Sequence, residues 1–215
     1  MHISEGVLSA PVLLTGAAAT ATGTAVALRQ LDNEDIPQVA IVSAALFVGN
    51  LIHIPLGPTS VHLILNAMAG ILLGWKAFPA FLVAFLLQSI LFQFGGLTAL
   101  GVNVAMVSIP AVVCHYLFKI VTKRDEEGIK RLGVAGFICG AVGIALAAIF
   151  LMLALSFTDG SLEEMGRAIL VANIPLAIIE ALLTSLCLVF LQKVKPEVFT
   201  EFQDGAQSLQ RRGRL

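Results

Sequence analysis

The sequence predicts an all-α fold, a polytopic integral membrane bundle of about seven transmembrane helices whose N-terminus lies outside and tucks into the bundle. Three observations predict it. The 215 residues are 58% hydrophobic with a mean hydropathy of +0.93. Charged residues make up 13%, against about 25% in an ordinary soluble domain. Apolar runs recur at lengths near the ~20 residues that a membrane span requires. The net charge of −1 is uninformative about partners, whereas the distribution of charge is informative.

Seven helical segments are expected, over 8–29, 38–54, 59–75, 77–94, 101–121, 132–157 and 167–192. The second and third are short, and the Pro55/Gly57/Pro58 break separates them. Such a break at membrane depth is tolerated only where it is buried in protein or lines a cavity, and 59–75 has a partly re-entrant reading as an alternative. With the N-terminus outside, the inner loops and tail hold Arg29, Lys76, Lys119, Lys123, Arg124, Lys130, Arg131, Lys193, Lys195, Arg211, Arg212 and Arg214, and the outer side holds Arg167 alone. This asymmetry decides the orientation. It divides the chain into a transmembrane domain, 1–193, and a basic cytoplasmic tail, 194–215.

The first residues do not read as a secretory signal, which opens with basic residues; here the first is Arg29, after the first apolar run. Met1 is therefore expected to stay, because His2 is too large for its removal. Small residues recur along helix faces, at Gly133, Gly136, Gly140 and Gly143, at Ala17, Ala21 and Ala25, and at Ala40 and Ala44. Such faces let helices approach closely in lipid, either within the bundle or against another membrane subunit. Cys114, Cys139 and Cys187 lie in apolar stretches without CxxC spacing and read as small buried hydrophobes. No internal repeat of the kind found in inverted-repeat carriers is visible.

Polar side chains at membrane depth are costly and mark function. They are His53, His62, Asn66, Gln88, Asn103, His115, Asn173 and Glu180. The start of the chain adds the sharpest chemistry. A terminal amine at Met1, the amide nitrogen of His2 and its imidazole can chelate one divalent metal, with a second imidazole closing the fourth corner. All-nitrogen tetragonal sites favour Ni(II) and Cu(II), and imidazole also suits Co(II) and Zn(II). His62 is the candidate for the second imidazole, the alternative being a ring satisfied by a backbone carbonyl. If 59–75 is helical, His62 and Asn66 stand at i and i+4 on one face. His53 reads as a structural residue or as one that assists capture and orients His62. His115 belongs to the inner half of its segment. Glu180, the one carboxylate in the membrane interior, has three readings: a hydrogen bond to a neighbouring helix, direct metal contact, or proton coupling. Asn66, Gln88 and Asn103 are candidates for a polar shell around the N-terminal segment, with Glu5 and Gly6 folding it inward and Gly95-Gly96-Leu97-Thr98 forming a tight outer loop. There is no GxSxG, HExxH or Walker A motif, so the chain is not read as an enzyme, and nothing suggests nucleic-acid binding or an organic cofactor.

Three stretches carry a resemblance to a known family: Met1-His2-Ile3-Ser4-Glu5-Gly6; His53-Ile-Pro-Leu-Gly-Pro-Thr-Ser-Val-His-Leu-Ile-Leu-Asn66; and Leu86-Leu-Gln-Ser-Ile-Leu-Phe-Gln-Phe-Gly-Gly-Leu-Thr-Ala-Leu-Gly-Val-Asn103. Together with Ile174 to Glu180 they resemble the CbiM/NikM family, the substrate-binding membrane subunits (S components) of energy-coupling-factor cobalt and nickel transporters. The resemblance covers nearly the whole chain. It implies a seven-helix fold with an inserted N-terminus, and a planar metal site of the Met1 amine, the His2 amide and imidazole, and His62. Where that family often carries a histidine before its last Pro motif, this chain has Ala172-Asn173, and no ligand is placed there. The resemblance further implies Co(II) or Ni(II) as transported substrate and a place in a bacterial or archaeal cell membrane. Implied partners are a transmembrane coupling subunit, ABC-type ATPase subunits and a small accessory membrane protein, with no accessory segment fused after residue 192. The competing readings are a self-sufficient metal channel or proton-coupled carrier using Glu180, and a membrane enzyme with a histidine-bound metal.

Overall fold

A computed structural model describes residues 2–51, 53–56, 59–122, 128–159 and 163–195. Met1, Gly57, Pro58, Lys123, Arg124 and the residues from Pro196 onward lie outside the described residues.

The long apolar stretches form helices. They are α1 (Ala10–Arg29), α2 (Ile36–Gly49), α3 (Asn66–Leu73), α4 (Ala77–Phe92), α5 (Leu100–Thr122), α6 (Ile129–Ser156), α7 (Glu163–Ala172) and α8 (Ile174–Val194). Among the described residues five helical stretches are long and apolar enough to cross a membrane: Ala10–Arg29, Asn66–Phe92, Leu100–Thr122, Ile129–Ser156 and Arg167–Val194. At 14 residues, α2 reaches only about 21 Å at 1.5 Å per residue. Large apolar side chains stand exposed around the bundle, among them Leu14, Ile41, Ile90, Leu186 and Phe190. Soluble proteins rarely expose apolar surface on this scale, and lipid is its natural solvent.

Three expectations need correction. The second segment does not run to 54: α2 ends at Gly49, and His53–Leu56 is a strand, β2. The third does not start as a helix. Thr59–His62 is a strand, β3, and helix begins only at Asn66, so His62 and Asn66 do not share a helix face. The last is interrupted at Asn173, between α7 and α8. The physical reasons are local. Pro55 holds its preceding residue extended, Thr59 and Val61 are β-branched and favour strands, and Pro175 lacks the N–H that would continue a helix through residue 173.

His2–Ile3 forms strand β1, and the sheet runs β1-β3-β2, antiparallel throughout. As the central strand, β3 contains no proline; Pro55 sits on the edge strand β2, where a missing N–H is tolerated. The sheet caps the bundle core, with Ile3 and Ile64 fully buried alongside Phe81, Phe85 and Leu151.

The glycine face of α6 is used inside the bundle. A methyl at Gly136 would lie 2.8 Å from Leu188 and 3.1 Å from Ser185, and one at Gly140 would meet the backbone of Ala181 at 2.5 Å and the Glu180 carbonyl at 2.8 Å. Gly143 makes the same close approach to Asn66 and Cys114. On α1, Gly16 and Gly23 pack against Val102 and Phe78, while Ala17, Ala21 and Ala25 remain exposed, as do Ala40 and Ala44 on α2.

Candidate metal centre

The sheet gathers the histidines by register. His53 is the Cα partner of His62 across β2 and β3, and His2 is the partner of Ser60 across β1 and β3. Residues two apart on a strand belong to one face, so positions 2, 53, 60 and 62 share a single face of the sheet. Two of these positions lie 51 and 60 residues from His2 in sequence, and only the strand pairing of β1 brings them together.

What fixes β1 is visible on its free edge. The Ile3 N–H donates to Asn103 Oδ1 at 2.8 Å, and Asn103 Nδ2 donates to the Ile3 carbonyl at 3.1 Å. The side-chain amide of Asn103, on α5, thus pairs with Ile3 as a neighbouring strand would. Because Ile3 turns both backbone groups toward Asn103, strand alternation turns those of His2 toward β3. The next residues are tied down as well. The Glu5 carboxylate accepts the Thr98 N–H at 3.0 Å, and this bond holds the carboxyl below its ordinary value. Gly96, at φ +81°, lies directly under the Glu5 side chain, where a Cβ would collide with it. A glycine is needed there on both counts.

Glu180 of α8 reaches the chain just after β3. It is fully buried. Its Oε1 accepts the N–H groups of Ile64 and of Leu65, the latter at 2.8 Å, and Oε2 lies 3.1 Å from the same Leu65 nitrogen. These are the two backbone donors next but one and next but two after His62. Leu65 is left-handed (φ 56°), an uncommon conformation for a branched residue.

Other candidates are engaged elsewhere. Asn66 donates to the Gly143 carbonyl of α6 at 3.0 Å and accepts the Ala67 N–H at 2.8 Å. Gln88 donates to the Phe47 carbonyl near the end of α2 at 2.9 Å. Of the three proposed shell residues, Asn103 alone bonds the N-terminal strand among these contacts. His115 has Nδ1 3.1 Å from the Gly70 carbonyl and packs beside Gly74, at the end of α3 remote from the sheet. The Cys114 thiol donates to the Cys139 carbonyl at 3.2 Å, joining α5 to α6. Asn173 donates to the Ile169 carbonyl at 2.7 Å. The amides of Ile64, Leu65 and Thr98 are contacts of the candidate site that side-chain reasoning missed, since a backbone N–H has no signature in sequence.

Comparison with known proteins places the chain in a family. The family model described as the cobalt uptake substrate-specific transmembrane region, CbiM, matches residues 2–198. A putative metal transport protein of Haemophilus influenzae is 42% identical over 210 residues, covering 95% of this chain and 99% of its own. The fused nickel transport protein NikMN of Rhodobacter capsulatus is 31% identical over 185 residues, covering 83% of this chain and 53% of its own. A crystal structure of a transition metal transporter superposes with a TM-score of 0.74 at 28% identity, covering 90% of this chain and 93% of that one. The chain belongs to the CbiM family of cobalt and nickel transport membrane proteins.

Proposed function

We propose that this chain is the substrate-binding subunit of an ATP-driven cobalt or nickel uptake transporter of the energy-coupling-factor type. The observation that carries the reading is the register of the sheet, which sets position 2 and position 62 on one face and puts His2, one peptide from the terminal amine, beside β3. The proposed ligands are the Met1 amine, the His2 amide nitrogen and imidazole, and the His62 imidazole. Position 53, paired with 62, orients or assists; Asn103, Glu5 and Glu180 support the strand ends.

This chemistry has a definite cost in protons. Amine and imidazole bind metal only when deprotonated, and an amide nitrogen must lose its hydrogen. Since the backbone of His2 faces β3, amide ligation takes the place of ladder pairing with Ser60, so metal capture and β1 pairing compete at this residue.

In the proposed topology the N-terminus and sheet face outward, and residues 1–193 form the membrane unit ahead of a cytoplasmic tail, 194–215. Metal enters from outside, exchanges water for nitrogen ligands, and is released inward when partner subunits move. A fused relative named for nickel transport supports a partner membrane subunit; the ATPase partners rest on the family resemblance. The test is Ni(II) and Co(II) binding by the purified chain. His2→Ala and His62→Ala should each weaken it by at least tenfold, and unchanged binding in both would refute the site.

A further inference from the structure

We propose that Glu180 is a positioning residue for metal binding: from α8 it sets the turn that follows β3 and so fixes where the His62 position stands. The inference rests on the metal-site reading above and deepens it. Between β3 and α3 the chain passes from strand to helix in three residues, Leu63 to Leu65. It does so by placing Leu65 in the left-handed region, where a Cβ is sterically penalised. That conformation turns two successive N–H groups, of Ile64 and Leu65, onto one carboxylate oxygen. Successive backbone donors converging in this way form a concave anion site, here filled by the protein's own side chain. No side-chain cap from residue 65 itself serves the start of α3, and the Glu180 side chain instead accepts the backbone N–H groups just ahead of that helix.

The anchor is stiff. Glu180 is fully buried, and its helix is locked to α6 by the approach of Gly140 to Ala181 and to the Glu180 carbonyl. Groups that orient metal ligands from behind are worth about 10–100-fold in metal affinity. The carboxylate acts through the turn, not on the metal, so an acceptor of the same shape should serve.

The test is titration of the purified full chain with Ni(II), followed by its ligand-field absorption, with thermal unfolding of each variant in the same detergent. Glu180→Gln retains an oxygen at the same reach and should bind within about threefold of wild type with an unchanged spectrum. Glu180→Leu should bind about 10–100-fold more weakly, with an altered spectrum. Glycine adopts the left-handed conformation freely, so Leu65→Gly added to Glu180→Leu should recover part of the loss. Should Glu180→Leu not fold, Glu180→Met takes its place with the same expected loss. Wild-type affinity in Glu180→Leu, or a loss in Glu180→Gln as large as in Glu180→Leu, would overturn the proposal. A wild-type chain that binds neither Ni(II) nor Co(II) would instead overturn the metal site itself.

Discussion

Asn103 holds Ile3 by both of its backbone groups, across 100 residues of sequence, through bonds of 2.8 and 3.1 Å. All of these atoms are buried. A two-residue strand has little stability of its own, so this amide substitutes for the rest of a sheet. Replacing Asn103 with Leu leaves an N–H and a C=O without partners away from water, at about 1–3 kcal/mol each. The expected result is a lower unfolding temperature and a loss of Ni(II) affinity of at least tenfold, although no proposed ligand is altered. Asn103→Asp keeps the acceptor and loses the donor, and should fall between the two in a titration of the three proteins.

The Glu5 contact predicts a pH dependence. The Thr98 N–H bond holds the Glu5 carboxyl below its ordinary value of 4.5, so the charged form is the one that docks. A lowered folded-state value contributes stability above the ordinary pKa, and that contribution is lost as pH falls through the lowered one. In the metal-free protein the amide of Thr98 should therefore stay protected from hydrogen exchange down to about pH 5 and lose protection below about pH 4. Glu5→Gln should abolish that step. Metal binding should weaken earlier, between about pH 8 and 6, where amine and imidazole take up protons.

Gly96 gives a steric version of the same prediction. At φ +81° a side chain is strained, and its Cβ would occupy the space of the Glu5 side chain. Gly96→Ala should release residues 2–6 from the bundle, seen as faster exchange at Ile3 and Thr98 and as a Ni(II) affinity at least tenfold lower.

The α6–α8 seam predicts an effect at a distance. Gly140→Val would force α8 away from α6, since even a methyl would meet the Ala181 backbone at 2.5 Å. Overpacking of this kind costs about 1–3 kcal/mol. Glu180 would move with α8, and the account predicts weaker metal binding alongside lower stability. Leu186→Val, on the exposed side of the same helix, should change neither.

Much of this architecture was legible because it follows from composition and period. The spans of α1, α4, α5 and α6 declare themselves as long apolar runs, and Gly133 to Gly143 declare a close-packed face. The sheet was not legible, and the reason is specific. His53–Leu56 and Thr59–His62 are four residues each, too short for a two-residue period to stand out against an apolar background. Their third partner, His2–Ile3, is some fifty residues away. His62 and Asn66 consequently looked like neighbours on a helix face, whereas one ends a strand and the other starts a helix. Glu180 was visible as an anomaly, a lone carboxylate among apolar residues. Its partners are backbone amides and therefore were not.

The central claim is that the start of the chain is itself a metal ligand. The most direct test is Ni(II) and Co(II) binding by the chain with one residue added before Met1, compared with the unextended protein. The extension leaves every side chain in place, moves the amine away and makes His2 the third residue. The account predicts a loss of binding as large as that caused by His62→Ala, with no change in unfolding temperature. Equal affinity in the extended and unextended proteins would contradict it, and would shift the metal to a site built from side chains alone.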